Sequence, residues 1–477
     1  MSETPGQPSQ RDLDAKSLEQ LGYAQQLLRD LGGFQNFALS FSIISILTGA
    51  VTLYGYGLKM GGPFEMAVGW PVVAVLTLMV AMSLAELASA FPTAGALYHW
   101  SSMLGGKGVG WATAWLNTLG QFAITAAIDY GLAEFLAPML GLEATRGNVL
   151  PLYAAVLFSH GLFNHFGVRA VSKLNTVSAW YHLVGVAVLV VALVGFAPRQ
   201  PVGFLLQRFT TEPQGLAMGF LLGLLQAGWT FTGYDASAHV SEETVDPSRV
   251  APRGIVLSVA ASGLAGWVML GAVTLAISDL PTTVAASNPF IHVLRTGLGG
   301  FGDALVWMIL GAMWFCGLSS VTSNSRMLFA FARDGGLPAS KRLASVSHRF
   351  KSPHVAVWVS VAMALVVALW ADAYSAMTAL STIALYASYA LPIGVGLLAR
   401  RRGVWKQPGP WNLGKWSTLV NVIALLWCVV LTVLLVLPPN QLAGYTFGGT
   451  CVLLLVAWWA GVRKKFEGPK VTLVHKG

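Results

Sequence analysis

Several polar and ionisable side chains lie inside long apolar stretches of this chain, where charged groups are costly and usually functional. Asp235 follows a glycine-containing segment, and Asn175, Ser178 and His182 are spaced by three and four residues, so these three share one helix face. Histidine changes charge near neutral pH, which makes His182 a candidate proton-binding group. The alternatives are a neutral His182 hydrogen-bonded between helices and a structural ion pair between Asp235 and an arginine of an inner loop.

The composition indicates which elements must position these side chains. Of 477 residues, 55% are hydrophobic and only 10% are charged, whereas soluble proteins have roughly 25% charged residues. So few charges do not cover the surface of a soluble body of this size. This argues against a soluble enzyme, a nucleic-acid-binding protein and a disordered scaffold, and it favours a helical protein that crosses the membrane many times.

Continuous apolar runs predict an all-α integral membrane protein with about twelve spans. A helix that crosses the bilayer needs roughly 20 apolar residues, and continuous runs favour helices over the alternating pattern of a membrane β-barrel. The predicted spans cover residues 36–57, 66–91, 108–137, 149–166, 174–197, 215–240, 254–278, 301–332, 354–371, 374–399, 417–437 and 443–462. A short helix over 288–297 is expected to lie on the outer surface.

The basic residues predict the orientation. The formal net charge is +9, but with the N-terminus inside, only five of the 29 Lys and Arg residues fall in outer loops. Cytoplasmic loops carry an excess of Lys and Arg, so both termini are expected in the cytoplasm and the chain in the plasma (inner) membrane. The positive charge is therefore a topology signal, and no nucleic-acid partner is expected. Glu242 and Glu243, which follow the sixth span, are expected to be solvated loop charges.

No motif predicts a metal, a cofactor or an enzymatic site. The three cysteines, Cys316, Cys428 and Cys451, lie in apolar stretches without CxxC spacing, which predicts neither a disulfide framework nor a zinc site. The sequence contains no HExxH, P-loop or G-x-S-x-G motif. A membrane enzyme is therefore disfavoured, and an ion channel is disfavoured because no selectivity-filter sequence is present.

Two predicted spans have residues that permit an interrupted helix. The first carries serine, threonine and glycine over residues 40–49, and the sixth carries Gly228 and Gly233 around Trp229 and Phe231. Such residues allow a helix to unwind at membrane depth, where freed amides and carbonyls can bind a ligand. The two segments open successive blocks of five spans, as an inverted repeat predicts. The alternative is that small residues only allow close helix packing.

Four motifs resemble those of amino acid–polyamine–organocation permeases. They are Glu86–Tyr98 (ELASAFPTAGALY), Thr48–Ala50 (TGA), Gly228–Asp235 (GWTFTGYD) and Ser325–Pro338 (SRMLFAFARDGGLP). The runs over 41–49 and 233–244 look most like the amino acid/choline branch, which includes γ-aminobutyrate and choline permeases. In the first span the family often has Gly-Ser-Gly where this chain has Thr-Gly-Ala.

The resemblance implies a LeuT-like fold with a five-plus-five inverted repeat and broken first and sixth helices. The implied organisation is a cytoplasmic tail (1–35), two five-helix repeats (36–197 and 198–400), two accessory spans (401–462) and a second cytoplasmic tail (463–477). It also implies a secondary active transporter that imports an amino acid or related amine by alternating access, with protons as the expected coupling ion. A choline, polyamine or other organic cation carrier and an amino acid exchanger remain alternatives.

The resemblance also implies roles for particular residues. A substrate carboxylate would meet the amides of Thr48, Gly49 and Ala50, and a substrate amine would meet Trp229 and Phe231. Asp235 matches an acidic gate position, with countercharge to an amine as its alternative role, and His182 takes the place of a lysine that stands in for sodium. The remaining candidates for substrate binding are Ser45, Asn117, Gln121 and Thr232. Sodium is the weaker candidate ion, with Ser319, Ser320, Thr322 and Ser323 as its possible ligands.

Overall fold

The computed structural model describes residues 9–371, 374–438 and 440–473 and is helical throughout. Over these residues no strand forms, and the one β-bridge joins Leu31 to Thr244. The outermost parts of the two predicted tails, 1–8 and 474–477, lie outside the described residues.

The α-helices follow one another in two groups along the chain. In the first half they are α1 (Gln10–Gln20), α2 (Gly33–Ile44), α3 (Gly49–Thr52), α4 (Tyr54–Gly61), α5 (Trp70–Ala90), α6 (Leu97–Gly105), α7 (Lys107–Met139), α8 (Arg146–His165) and α9 (Val168–Phe196). In the second half they are α10 (Leu216–Gly223), α11 (Leu225–Thr230), α12 (Ala236–His239), α13 (Pro247–Leu275), α14 (Leu280–Ala285), α15 (Pro289–Leu298), α16 (Gly300–Arg333), α17 (Ser340–Leu343), α18 (His354–Trp370), α19 (Tyr374–Arg401), α20 (Ser417–Val436), α21 (Gln441–Ala457) and α22 (Arg463–Lys465).

The helices confirm a protein that crosses the membrane many times. Over the described residues, nine helical segments are long and apolar enough to cross a bilayer. Two further apolar helices, Leu216–Thr230 and His354–Trp370, are shorter. Each predicted span overlaps a helix. The number twelve itself stays a prediction.

The first predicted span is interrupted near its middle. α2 ends at Ile44, and Ser45 has a φ of +28°, a conformation that L-residues rarely adopt. The helix resumes only at Gly49. Between these points the hydroxyls of Ser45 and Thr48 lie 2.7 Å apart and satisfy one another. A short polar turn therefore replaces helical backbone in an otherwise apolar segment.

The sixth predicted span has a matching interruption. α11 ends at Thr230, and α12 begins only at Ala236. Within the non-helical stretch, Gly233 has a φ of +81°, which a residue without Cβ adopts without steric cost. A Cβ at this position would also lie 2.3 Å from the Ile43 side chain. Gly233 thus allows both the turn and the close approach of the first span.

Two long helices occupy the centre of the bundle. α7 and α16 pack along one another, and α7 also packs along α19. Both are buried over most of their length. The segment Gln441–Lys465, by contrast, has no buried residue in its most apolar window, so it lies at the periphery.

The predicted outer-surface helix is more deeply packed than expected. α15 covers Pro289–Leu298, as predicted, but one of its faces is buried. Phe290 is fully buried and meets the Tyr54 ring edge-on at 5.6 Å between centroids. A Cβ on Gly55 would lie 2.9 Å from Pro289. One face of α15 therefore packs against the bundle, where Gly55 of α4 allows a close approach, and Arg295 and Thr296 are exposed.

Candidate functional site

The two helix interruptions face each other across a small internal cavity. Its volume is about 10 Å³, roughly the room that one water molecule needs. Its lining comes from the first, third, sixth and eighth predicted spans: Ile43, Ile44, Thr48, Gly49, Ile124, Ile128, Trp229, Thr230, Thr232 and Cys316. The lining contains no ionisable carboxylate or basic group. The polar side chains of the lining are therefore three threonine hydroxyls, the Trp229 indole and the Cys316 thiol.

The first interruption presents backbone to this cavity. Thr48 and Gly49 line it, and a Cβ on Gly49 would lie 2.5 Å from the Thr230 hydroxyl oxygen. The first turn of a helix leaves amides without an intrahelical acceptor, and in the described chain the amides of Ala50 and Val51 have no backbone partner. The amides of Thr48 and Gly49, by contrast, both donate to the Ser45 carbonyl, at 2.7 and 2.9 Å. Of the three amides predicted to meet a carboxylate, only that of Ala50 therefore lacks a backbone acceptor, and Ala50 does not line the cavity. The Ala50 carbonyl is occupied, because it accepts from Gln226 Nε2 at 3.0 Å.

The second interruption supplies an aromatic wall and carbonyl groups. Trp229 lines the cavity, and its indole N–H donates to Ser381 Oγ at 3.1 Å, which fixes the ring. The Thr232 hydroxyl donates to the Trp229 carbonyl at 2.6 Å. Phe231 is fully buried but packs away from the cavity against Trp70, with ring centroids 4.8 Å apart. Its carbonyl accepts from Tyr386.

His182 lies directly behind the first interruption. Its Nε2 is 2.7 Å from Ser45 Oγ, and its Nδ1 is 2.8 Å from the Ser178 carbonyl oxygen. A carbonyl only accepts, so Nδ1 carries a hydrogen and donates it. The neutral ring therefore accepts from Ser45 through Nε2. The side chain is fully buried and does not line the cavity itself.

Asp235 ends the second interruption, directly before α12, and is fully buried. Its Oδ1 accepts from the Tyr389 hydroxyl at 2.9 Å, and its Oδ2 lies 3.1 Å from Nε2 of His239. Tyr389 also accepts from the amide of Gly233 at 3.3 Å. These contacts join the second interruption and α12 to α19. The alternative of an ion pair with an inner-loop arginine does not describe Asp235, whose partner is a histidine.

The other predicted binding residues lie outside the cavity lining. Asn117 donates to Ser388 at 3.2 Å and to Asp235 at 3.4 Å, and Gln121 donates to Ser323 at 3.3 Å. Both side chains join α7 to its neighbours. The structure therefore brings Asn117 to the Asp235 cluster and leaves Gln121 within the helix packing.

The hydroxyls of the eighth predicted span point to different neighbours. Ser319 donates to Asn175 and Thr322 donates to Asn164, whereas Ser320 pairs with Thr125 and Ser323 accepts from Gln121. These partners belong to three other helices. The four proposed sodium ligands thus do not converge on one point.

The acidic residues after the sixth span are buried, so the expectation of solvated loop charges was wrong for them. Glu242 pairs with Arg333 at 2.7 Å, and Glu243 pairs with Arg326 at 2.8 Å. Both carboxylates have at most 1% exposed side chain. Burial opposes the charged form of Glu242, but the Arg333 guanidinium outweighs it and holds the pKa of that carboxyl below its ordinary value. The sequence does not reveal this, because both arginines lie more than 80 positions away.

Two of the four motifs meet beside the pair of Glu242 and Arg333. Asp334, of the motif Ser325–Pro338, accepts from the Tyr98 hydroxyl at 2.9 Å and lies 3.1 Å from Nε2 of His99. Tyr23, from the N-terminal segment, donates to the same carboxylate at 2.8 Å. Burial opposes the charge of Asp334, but these hydrogen bonds and nearby positive charge leave its pKa lowered. A hydrogen bond between Tyr98 and Asp334 thus joins the motif Glu86–Tyr98 to the motif Ser325–Pro338.

Sequence reasoning missed the apolar part of the lining and one buried ionisable pair. The four lining isoleucines and Cys316 have no signal that separates them from ordinary core residues. His160 pairs with Asp129 at 3.0 Å, and both are fully buried. Asn117, Gln121, Thr125 and Asp129 are spaced by four residues along α7, and all four are buried.

Comparison with known proteins identifies the family. The profile of the amino acid permease family matches residues 31–458. The amino-acid permease BAT1 of Arabidopsis thaliana is 37% identical over 95% of each chain, and its homologue in Oryza sativa is 38% identical over 96% of this chain and 95% of its own. A GABA-specific permease of Saccharomyces cerevisiae is 28% identical over 96% of this chain and 86% of its own. The chain therefore belongs to the amino acid permease family of the amino acid–polyamine–organocation superfamily, whose members are membrane transporters and not enzymes.

Proposed function

We propose that this permease imports an amino acid or a related amine by alternating access around the central cavity. The observation that carries the proposal is that two helix interruptions, 45–48 and 231–235, meet at one cavity deep in an apolar bundle. Interrupted backbone at membrane depth is tolerated where it lines a cavity and binds a substrate.

The polar groups of the cavity suit a zwitterion. The carboxylate is proposed to accept hydrogen bonds from the amides that follow Gly49, and the amine to meet the backbone carbonyls and indole face near Trp229. The lining lacks an acidic side chain, and Asp235 is already engaged by Tyr389 and His239. An amine without a carboxylate would therefore leave the first interruption unused.

Corresponding helix lengths support the LeuT-like architecture and the inverted repeat. The third predicted span of each block is the longest, with 33 residues in α7 and 34 in α16. The fifth of each block has 29 residues in α9 and 28 in α19. An odd number of spans per block inverts the second block in the membrane. We therefore keep twelve spans, repeats over 36–197 and 198–400, and two accessory spans as the proposed organisation.

The position of His182 beside the first interruption supports the proposal that this residue couples transport to protons. A protonated ring must donate through Nε2, so Ser45 could no longer donate to it and would donate to Thr48 instead. Protonation would thus reorient the hydroxyls next to the substrate amides. Sodium is the weaker candidate, because the hydroxyls of Ser319, Ser320, Thr322 and Ser323 have other partners.

The orientation and compartment are part of the proposal. Both termini are placed in the cytoplasm and the protein in the plasma (inner) membrane, because that orientation leaves most Lys and Arg residues inside. The buried ion pairs of Glu242 and Glu243 then lie on the cytoplasmic side, at the inner closure.

A ligand panel on the purified protein tests the function. Bound substrate stabilises the folded state by mass action, so a transported amino acid should raise the unfolding temperature, and γ-aminobutyrate belongs in the panel because one relative is named for it. Uptake of the stabilising compound into proteoliposomes, with and without internal amino acid, separates net import from exchange. Stabilisation by choline or polyamines alone would favour the organic cation carrier, and stabilisation by none would contradict the proposal.

A further inference from the structure

His239 has an unusual pair of hydrogen-bonding partners. It ends α12, four residues after Asp235, and is fully buried. Its Nδ1 lies 3.0 Å from the Ala94 carbonyl oxygen, and its Nε2 lies 3.1 Å from Asp235 Oδ2. A carbonyl oxygen only accepts hydrogen bonds, and an ionised carboxylate also only accepts. Both ring nitrogens therefore face acceptors.

A neutral imidazole has one N–H and cannot donate to two acceptors. With neutral His239 and ionised Asp235, one of the two contacts would bring two lone pairs together in a buried environment. Both contacts become hydrogen bonds when the pair holds one additional proton. Asp235 also accepts from Tyr389 at 2.9 Å and from Asn117 at 3.4 Å. These donors favour the ionised carboxylate, which places the additional proton on the imidazole.

The other buried histidines among the described residues do not require an additional proton. His182 meets a hydroxyl through Nε2, and His99 meets the Thr93 hydroxyl through Nδ1. A hydroxyl either donates or accepts, so each ring can stay neutral. His160 has a partner for Nδ1 only. The requirement for an additional proton is specific to His239.

We propose that Asp235 and His239 form a proton-binding site that holds the cytoplasmic side closed, with the proton on His239. This deepens the proposed function, on which it rests, because it places a second proton site at the inner closure. The proton is held while α12 lies against Ala94. It leaves to the cytoplasm when α12 and the loop separate, because the acceptor at Nδ1 is then lost.

Both backbone groups of Ala94 form hydrogen bonds that hold its loop in place. The Ala94 carbonyl accepts from His239, and the Ala94 amide donates to Glu242 Oε1 at 3.1 Å. This loop lies within the motif Glu86–Tyr98. Tyr389 connects Asp235 to the second interruption, because its hydroxyl donates to Asp235 and accepts from the Gly233 amide. Loss of the proton would weaken one closure of the site without touching the substrate directly.

The ionisable groups around α12 do not compete with Asp235 and His239 for the additional proton. α2 has no ionisable residue. α19 contributes Tyr389, a donor to Asp235. The remaining ionisable groups on the elements around α12 are engaged elsewhere or exposed: Arg326 with Glu243, Arg333 with Glu242, His99 with Asp334, Arg249 with Asp246, and exposed Arg253. No second counterion for His239 is present among these groups.

Nitrogen NMR of histidine in the full chain tests the proposal directly. The protein is labelled with ¹⁵N-histidine and studied in lipid vesicles at about pH 7.5, where an unperturbed histidine, of pKa about 6.5, is mostly neutral. We expect one imidazolium signal, with both nitrogens protonated, in the substrate-free closed protein. The signal should disappear in His239→Gln and persist in His182→Gln. A neutral His239 in the wild type would overturn the proposal.

Asp235→Asn is the matched variant, because it removes the need for the additional proton and keeps a hydrogen-bonding group opposite His239 and Tyr389. A carboxamide N–H can donate to the Nε2 of a neutral ring, which still donates to Ala94 through Nδ1. His239 should then give a neutral signal in a protein that remains folded by gel filtration and thermal unfolding. An imidazolium that persists in Asp235→Asn would contradict the assignment. A wild type that transports no amino acid would instead refute the proposed function and leave this result standing.

Discussion

The hydroxyl of Ser45 and the imidazole of His182 lie 2.7 Å apart, and they join the interrupted first span to α9. The same hydroxyl lies 2.7 Å from Thr48, which lines the cavity. A change in the charge of His182 therefore reaches the cavity through two hydrogen bonds. This short connection allows proton binding and substrate binding to influence one another.

Replacing His182 with glutamine should separate substrate binding from proton coupling. Glutamine has a donor and an acceptor but does not titrate near neutral pH, so the dependence of uptake on external pH should flatten. Uptake driven by a pH gradient should fall at least tenfold. The measurement is radiolabelled substrate uptake into proteoliposomes over a range of external pH. Thr446→Ala, in α21 at the periphery, is the control. An unchanged pH profile in His182→Gln would refute the role of this residue.

A methyl group at Gly49 should close the site. The added Cβ would lie 2.5 Å from the Thr230 hydroxyl oxygen and 2.8 Å from its Cβ, so the two interruptions would have to separate. Overpacking of this kind costs about 1–3 kcal/mol, and we expect Gly49→Ala to weaken substrate affinity roughly tenfold or more.

Gly271→Ala is the matched control, because a Cβ there meets no atom within 4 Å. The measurement is the substrate concentration needed to raise the unfolding temperature. Equal affinities in Gly49→Ala and Gly271→Ala would show that the contact between the first and sixth spans does not shape the site.

Removing the Tyr98 hydroxyl should destabilise the contact between the motifs Glu86–Tyr98 and Ser325–Pro338. Tyr98→Phe leaves the buried Asp334 carboxylate with one donor fewer, and a hydrogen bond to a charged group contributes about 2 kcal/mol. The unfolding temperature in detergent should fall, whereas Tyr445→Phe, at an exposed ring, should leave it unchanged. Equal unfolding temperatures for the two variants would mean that the Tyr98 bond contributes nothing.

Stability should depend on pH through Glu242. The pKa of its carboxyl is lowered in the folded protein because of Arg333, after burial is overcome. The unfolded chain has the ordinary glutamate pKa of 4.5. Because the pKa is lower in the folded protein, ionised Glu242 stabilises the folded state at pH values above 4.5, and this stabilisation is lost as the pH falls through the folded-state pKa.

In Glu242→Gln this acid-sensitive part should disappear, and the variant should be less stable than the wild type at neutral pH because Arg333 loses its partner. The comparison is thermal unfolding from neutral to acid pH, with Glu143→Gln, at an exposed loop position, as control. Parallel curves for Glu242→Gln and the wild type would contradict the assignment.

The sequence predicts the membrane-spanning helices well, because the bilayer imposes long apolar runs that composition reveals. It also locates both interruptions, since Ser45, Thr48 and Gly233 are the residue types that a polar turn in an apolar segment needs. Hydrophobicity and turn formation depend on neighbouring residues, so the local sequence predicts them. The family follows from motifs that are contiguous in the chain.

The sequence does not predict which side chains, distant along the chain, contact one another in the folded protein. Glu242 and Glu243 look like solvated loop residues until Arg333 and Arg326 are placed beside them by helix packing. His239 has no sequence signal either, because its role depends on the carbonyl of Ala94, 145 positions earlier. The cavity lining has no sequence signal either, because an isoleucine that faces a cavity has the same sequence context as one that packs in the core.

The most direct test of substrate binding between the two interruptions is an experimental structure determined with a saturating transported amino acid. Density for the ligand should lie in the cavity, with its carboxylate within hydrogen-bonding distance of the amides that follow Gly49 and its amine beside Trp229. Ligand density elsewhere, or continuous helices through 45–48 and 231–235, would contradict it.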